Sequence, residues 1–143
     1  MTSTPGRTWT VELPPMELLN ANQRIHRQAA AKATRLIREK TGWTVFAAKV
    51  PKLQRAHILV ELRFWEARRR DPANWAPSIK AAIDGVVDAG VLEDDDATHL
   101  DGPDIRLGRI DTGLAYATSV TGKRVRLARM VLHITELPEV THG

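Results

Sequence analysis

The chain reads as one small α/β (α+β) domain, residues 1–143, with a mixed β-sheet flanked by two main helices. Three observations predict this class. The 143 residues match the size of one ordinary domain and are enough to bury a core without staples. Period-two and helical apolar patterns interleave in the order β, α, β, α, β, β. With 43% hydrophobic and 27% charged residues, the composition is that of a folded protein rather than a disordered or fibrous one.

Thr8 to Leu13 alternates as a short strand that Pro14 and Pro15 stop, because proline has no N–H for a ladder. A loop over 16–22 follows. From His26 to about Lys40 the residues are strong helix formers, with Ala29, Ala33, Leu36 and Ile37 on one side, and Gly42 is expected to end or kink the helix. Over 56–65, Ile58, Val60, Leu62 and Phe64 share one face in strict alternation, which is a half-buried strand. After a polar stretch to Asn74, the positions Trp75, Ile79, Ala82, Ile83 and Val86 recur at helical spacing. Pro77 suits that helix's first turn and Gly90 its end.

Thr98 to Ile110 is expected to be a strand despite Gly102 and Pro103, and 111–122 a loop or hairpin tip with some mobility. Arg124 to Thr135 is expected as the last strand, where a change of apolar phase near Ala128 predicts a bulge. The ends, 1–7 and 138–143, are expected to be flexible tails.

The absence of cysteine excludes disulfide scaffolds, thiolate metal sites and cysteine nucleophiles. The apolar runs are far shorter than the roughly 20 residues of a membrane helix, so no membrane partner and a cytoplasmic location are expected. A net charge of +4 favours a polyanionic partner. The five histidines lack the tight pair spacings of zinc sites, and neither a nucleophile elbow nor a glycine-rich phosphate loop is present.

The distribution of charge is more informative than its total. Asp71 falls where a strand gives way to a loop, and Asp94 and Asp95 fall just past the following helix, so that helix can bring both ends together. Such oxygen donors suit magnesium, which takes one or two carboxylates and keeps waters that a phosphate can replace. Glu93, Asp96, Glu66, Asp84 and Asp88 are further candidates, the last two sharing a helix face with Lys80 at i, i+4 spacing. Lys80 is a fixed cation suited to the charge that builds on a phosphate in a transition state. Arg68, Arg69 and Arg70 suit flanking phosphates, and Lys123, Arg124, Arg126 and Arg129 extend the basic track. Each group also has a bland reading, since acidic runs are usually solvated loops and a lone helix lysine is usually exposed. Trp9, Trp43, Trp65 and Trp75 are of a type more often found in cores or interfaces, with Trp75 placed to touch the site or a dimer partner.

Arg69-Arg70-Asp71-Pro72-Ala73-Asn74, then Lys80 to Gly90 with Asp84-Gly85-Val86 and Ala89-Gly90, then Asp94-Asp95, resembles the signature of the RusA family of Holliday junction resolvases. That pattern is R-[DN]-x-D-N, a lysine early in a helix, D-[AG]-L, A-G and D-D, and the resemblance covers about thirty continuous residues. Pro14-Pro15 followed by Asn20, Asn22, Arg24 and His26 is similar to the family's proline- and asparagine-rich loop, which approaches the substrate.

The resemblance implies a RusA-like fold and a homodimeric, magnesium-dependent endodeoxyribonuclease, with manganese as a substitute, that cuts branched DNA and is often carried by phages and prophages. Asp71, Lys80 and Asp95 then match the catalytic positions, with Asp71, Asp94, Asp95 and the stand-in Asp84 as metal ligands. Asn22, Arg24, His26, Arg68, Arg69, Arg70, Asn74 and Lys80 match DNA-contacting positions. Two features depart from the pattern: the second motif aspartate is Ala73, and three residues around Ala76-Pro77-Ser78 are inserted before Lys80. The departure leaves a second function open, a catalytically weak or inactive branched-DNA-binding protein of the same fold.

Overall fold

The computed structural model describes residues 6–138. Strands β1 (Thr8–Glu12), β2 (Ala56–Arg63), β3 (Leu100–Leu107) and β6 (Arg129–Glu136) form one four-stranded sheet in the order β1-β6-β2-β3. β6 runs antiparallel to both neighbours and β2 runs parallel to β3, so the sheet is mixed. Two helices, α1 (Arg27–Ala47) and α2 (Ala76–Asp88), complete a small α+β domain, and a single turn of 3-10 helix (Pro72–Trp75) leads into α2. A separate hairpin joins β4 (Tyr116–Thr118) to β5 (Arg124–Arg126). Among the described residues no helix is long and apolar enough to cross a membrane.

The alternation in β2 follows the expected pattern: Ala56, Ile58, Val60 and Leu62 are fully buried, while His57, Leu59, Glu61 and Arg63 lie on the opposite, partly exposed face. Met130, Leu132 and Ile134 of β6 meet the same core, together with Ile37 and Val45 of α1 and Ile79, Ile83 and Val86 of α2. On the other face Glu61 links Arg63 at 2.6 Å and His133 at 3.1 Å. Burial by itself would push the Glu61 carboxyl up. The hydrogen bonds from Arg63 and His133 outweigh it, and the group sits below its ordinary range.

Three expectations are corrected. Gly42 neither ends nor kinks α1, which runs on to Ala47. The glycine is there because the two helices touch backbone to backbone: a Cβ on Gly42 would lie 3.3 Å from the Gly85 carbonyl oxygen. The expected single strand over 124–135 is two strands in different sheets. At Ala128 the chain makes an isolated bridge to Met16, with N–H to O distances of 2.9 and 3.0 Å, and there it leaves the hairpin for the main sheet. The phase change therefore marks a change of partner rather than a bulge. The segment 111–122, expected as a loop or hairpin tip, contains β4 and, over 119–122, part of the tip that joins it to β5.

The real bulge lies in β3, where Gly102 and Pro103 together oppose Ile58 alone. An edge strand tolerates the proline, whose missing N–H disturbs no ladder on the open side. Most of the ends expected to be tails lie outside the described residues, although the Arg7 carbonyl accepts the Glu136 N–H at 2.8 Å.

Ser78 belongs to the inserted residues and has a definite structural task. Its fully buried hydroxyl accepts the Leu19 N–H at 2.6 Å and donates to the Leu19 carbonyl at 2.9 Å, clamping the 16–22 loop onto α2. Ser78→Ala leaves both backbone groups without that partner, and we expect a loss of about 3 kcal/mol in chemical denaturation, with unchanged m-value.

Candidate nucleic-acid and metal site

The segment after β2 turns sharply at Asp71. Its Oδ1 accepts the Ala73 N–H at 3.0 Å, and the Asp71 carbonyl accepts the Asn74 N–H at 3.0 Å, which starts the 3-10 turn with Pro72 in its first position. The Ala21 N–H donates to the Asn74 carbonyl at 2.7 Å. This bond and the Ser78 clamp bring the asparagine-rich loop and the motif segment together, although about fifty residues separate them in sequence. Asn20 and Asn74 line one cavity with Arg68, Arg69, Arg70 and Asp71, while Trp65 and Trp75 close it. Among the described residues no ion pair engages Arg68, Arg69, Arg70 or Asp71.

Arg70 is the most constrained of the three arginines. Its guanidinium carbon lies 4.1 Å from the centre of the Phe64 ring and 5.1 Å from that of Trp65, and its Nη1 donates to the Glu66 carbonyl at 2.9 Å. Burial, followed by the like charge of Arg68, lowers its pKa from the ordinary arginine value. An anion placed here would relieve both penalties.

Lys80, on α2, pairs with Asp84 at 3.0 Å and with Asp95. The loop after Gly90 thus returns Asp95 to the helix it left. Asp94 sits beside it, and its Oδ1 accepts the Asp95 N–H at 2.7 Å. The hydrogen bond from Lys80 is the main cause that holds the Asp95 carboxyl below its ordinary range, and the bonds Lys80 donates to Asp95 and then to Asp84 raise its own pKa.

The rest of the acidic run disperses. Asp96 accepts from Thr98 and bonds His99 at 2.7 Å, which holds its carboxyl at about 2, and Glu93 lies 3.9 Å from His99. Asp88, although on the expected face of α2, is taken by Arg38 of α1 through two bonds of 2.6 and 2.8 Å. Glu66 contributes only its carbonyl to these contacts.

Among the described residues no three carboxylate or histidine side chains converge on a point that could hold a metal. Two carboxylates do meet at one cation, since Asp84 and Asp95 share the Lys80 ammonium. That donor set fits magnesium, which needs one or two carboxylates and completes its shell with water and phosphate oxygens. Asp71 lines the arginine cavity and is not among the carboxylates that pair with Lys80.

The remaining sequence candidates divide clearly. His26 caps α1, its Nδ1 3.2 Å from the Gln28 N–H. Asn22 donates its N–H to Asn20 Oδ1 at 2.8 Å, and Arg24 is exposed beside them. Arg129 is drawn into the sheet by Glu12 at 3.4 Å and the Leu13 carbonyl at 2.9 Å, which takes it off the basic track. Arg126 stays near the cleft, 5.9 Å from the Trp65 ring centre. Trp65 and Trp75 line the cleft as well as packing on the core, a double use that residue type alone does not signal. No protein-family model matches the chain, and no curated protein matches it.

The Lys80–Asp95 pair predicts a definite pH profile. The depressed Asp95 adds stability above the ordinary carboxyl value of 3.8 and loses it as pH falls through the folded value. The raised Lys80 adds stability below 10.5 and loses it as pH rises through its folded value. The stability difference between wild type and Lys80→Met is therefore expected to be flat between those limits and to shrink outside them. With Lys80 62% exposed, the plateau should stay below about 1 kcal/mol, as pH-dependent urea melts would measure.

Proposed function

We propose that the chain binds branched DNA and cuts it in a magnesium-dependent reaction. One observation carries this reading: the loop around Asn20 and the segment 68–74 form a single cavity lined by Asp71 and by three arginines that have no ion-pair partner among the described residues. Arginines without internal counter-ions suit phosphate oxygens, and the contact positions a strand without reading its sequence. The resemblance to RusA supplies the branched substrate. It also supplies the homodimer, since symmetric cuts on two strands need two equivalent sites.

Asp84 and Asp95, with Asp94 beside them, would hold the magnesium. Bound there, the ion would supply Lewis-acid stabilisation of phosphate charge. Lys80 holds the Asp95 carboxyl below its ordinary range and offers its ammonium to the same charge. Arg68 and Arg69 hold the flanking backbone, and Asn74 fixes the loop that carries Asn20 and Asn22.

A labelled four-way junction tests this directly. Cleavage is expected with magnesium or manganese, and a mobility shift without cleavage in EDTA. No shift at any protein concentration would sink the DNA reading. The second reading, a binder that does not cut, is favoured by Ala73, which stands where the family pattern carries its second aspartate. It predicts a shift with no cleavage under either metal. Ala73→Asp should then restore cutting, because Ala73 is exposed at the turn that Asp71 caps and accepts a carboxylate there without repacking.

A further inference from the structure

A second cavity adjoins the arginine cavity and shares Asn20, Trp65 and Trp75 with it. Its volume of about 360 Å³ lies at the lower end of small-ligand sites. The walls are of two kinds. Phe64, Trp65 and Trp75 give an aromatic side, the Phe64 and Trp75 rings lying 5.0 Å apart at 47°. Asn20, Asn22 and Gln23 give amides, which supply both donors and acceptors. Arg126 enters from β5, its guanidinium 4.7 Å from the Tyr116 ring centre, and its buried Nε has no partner. Across Trp65, Arg70 leaves a buried Nη2 without a partner in the neighbouring cavity. The one carboxylate in the wall, Glu17, is already committed to Ser119 at 2.5 Å and to the Val120 N–H at 3.0 Å.

We infer that this cavity receives one unstacked nucleotide of the bound strand, its base against Trp65 and Trp75 and its phosphate between Arg126 and Arg70. An aromatic wall accepts any base face, and neighbouring amides satisfy the edge that leaves its pair. Two guanidiniums lie against the same indole, 5.1 and 5.9 Å from its ring centre, and supply the positive charge that suits a nucleotide's phosphate and not an apolar ligand. The inference rests on the DNA reading above and narrows it. The preferred substrate carries an unpaired or easily unpaired nucleotide at the point of binding, as a branch point does, and a continuous duplex lacks this feature.

The test uses a duplex with one unpaired fluorescent purine analogue, the same duplex fully paired, and free deoxyadenosine monophosphate. Wild type should tighten on the unpaired DNA and change the analogue's fluorescence. Trp65→Leu and Arg126→Gln should each weaken that binding about tenfold, and Trp65→Phe should largely restore it. In Arg126→Gln the affinity for the paired duplex, held by Arg68 and Arg69, should stay within about twofold. Should Trp65→Leu fail to fold by circular dichroism, Arg126→Gln and Trp65→Phe carry the comparison.

An Arg126→Gln variant that weakens both DNAs alike, or neither, overturns the nucleotide cavity while the DNA reading stands. Binding of the free nucleotide, lost in Arg126→Gln, with no binding of either DNA, keeps the cavity and overturns the DNA reading. No response from any of the three probes overturns both.

Discussion

Asp95→Asn is expected to slow magnesium-dependent junction cleavage about a hundredfold or more, while junction binding in EDTA holds or tightens. The substitution preserves shape and removes one charge. Asp95 meets Asp84 at the Lys80 ammonium, so its loss leaves Asp84 as the sole carboxylate on that cation and breaks the pair on which the metal's hold depends. The fold has little reason to respond, because Lys80 keeps Asp84 at 3.0 Å and the Asp95 backbone keeps its bond to Asp94 at 2.7 Å. Asp71→Asn offers the matching control. An asparagine Oδ1 still accepts the Ala73 N–H, so the turn survives and only the charge facing the arginines is lost. Single-turnover rates set beside mobility shifts would decide the matter. Equal losses of binding and cleavage in folded variants would make both aspartates structural.

The second large effect is expected at the helix crossing. A Cβ on Gly85 would fall 2.5 Å from the Arg38 carbonyl oxygen and 2.8 Å from the Thr41 Cβ, and neither can yield without parting the helices. Gly85→Ala should cost about 3 kcal/mol and lower the melting temperature by roughly 10 °C. Gly42→Ala faces a looser 3.3 Å contact and should cost about 1 kcal/mol. Thermal melts followed by circular dichroism would rank the two, and an unaltered Gly85→Ala protein would mean the helices are free to separate. The Arg38–Asp88 bridge clamps the same two helices.

What could be read from the sequence divides along physical lines. Local periodicity depends on nearest neighbours, so β2 and α2 were legible from Ile58 to Leu62 and from Ile79 to Val86. The Lys80–Asp84 pair was legible for the same reason. Partners distant in sequence were not: nothing in residues 124–135 says that Arg126 pairs with Tyr116 while Arg129 pairs with Arg63. Gly42 misled because a glycine needed for close approach between helices looks the same as one that ends a helix. Asp88 misled because its partner, Arg38, lies on another element. The inserted Ser78 read as a departure from the motif, whereas the fold uses its hydroxyl to seat the 16–22 loop.

The position of β6 constrains how this sheet can be assembled. Among the described residues it is the last strand in sequence and the one that joins β1 to β2, so Thr8 waits for Thr135, 127 residues later. A nascent chain halted before Arg129 can hold the parallel pair β2 and β3, but it leaves β1 with no neighbour and one edge of β2 open. Vectorial synthesis therefore cannot complete the sheet strand by strand. Closure comes only after residue 136 has cleared the ribosome, at the entropic cost of a very long loop. Until then the open edges are templates for pairing with other chains, and a ribosome-stalled or prematurely ended product is the species that chaperones must hold apart.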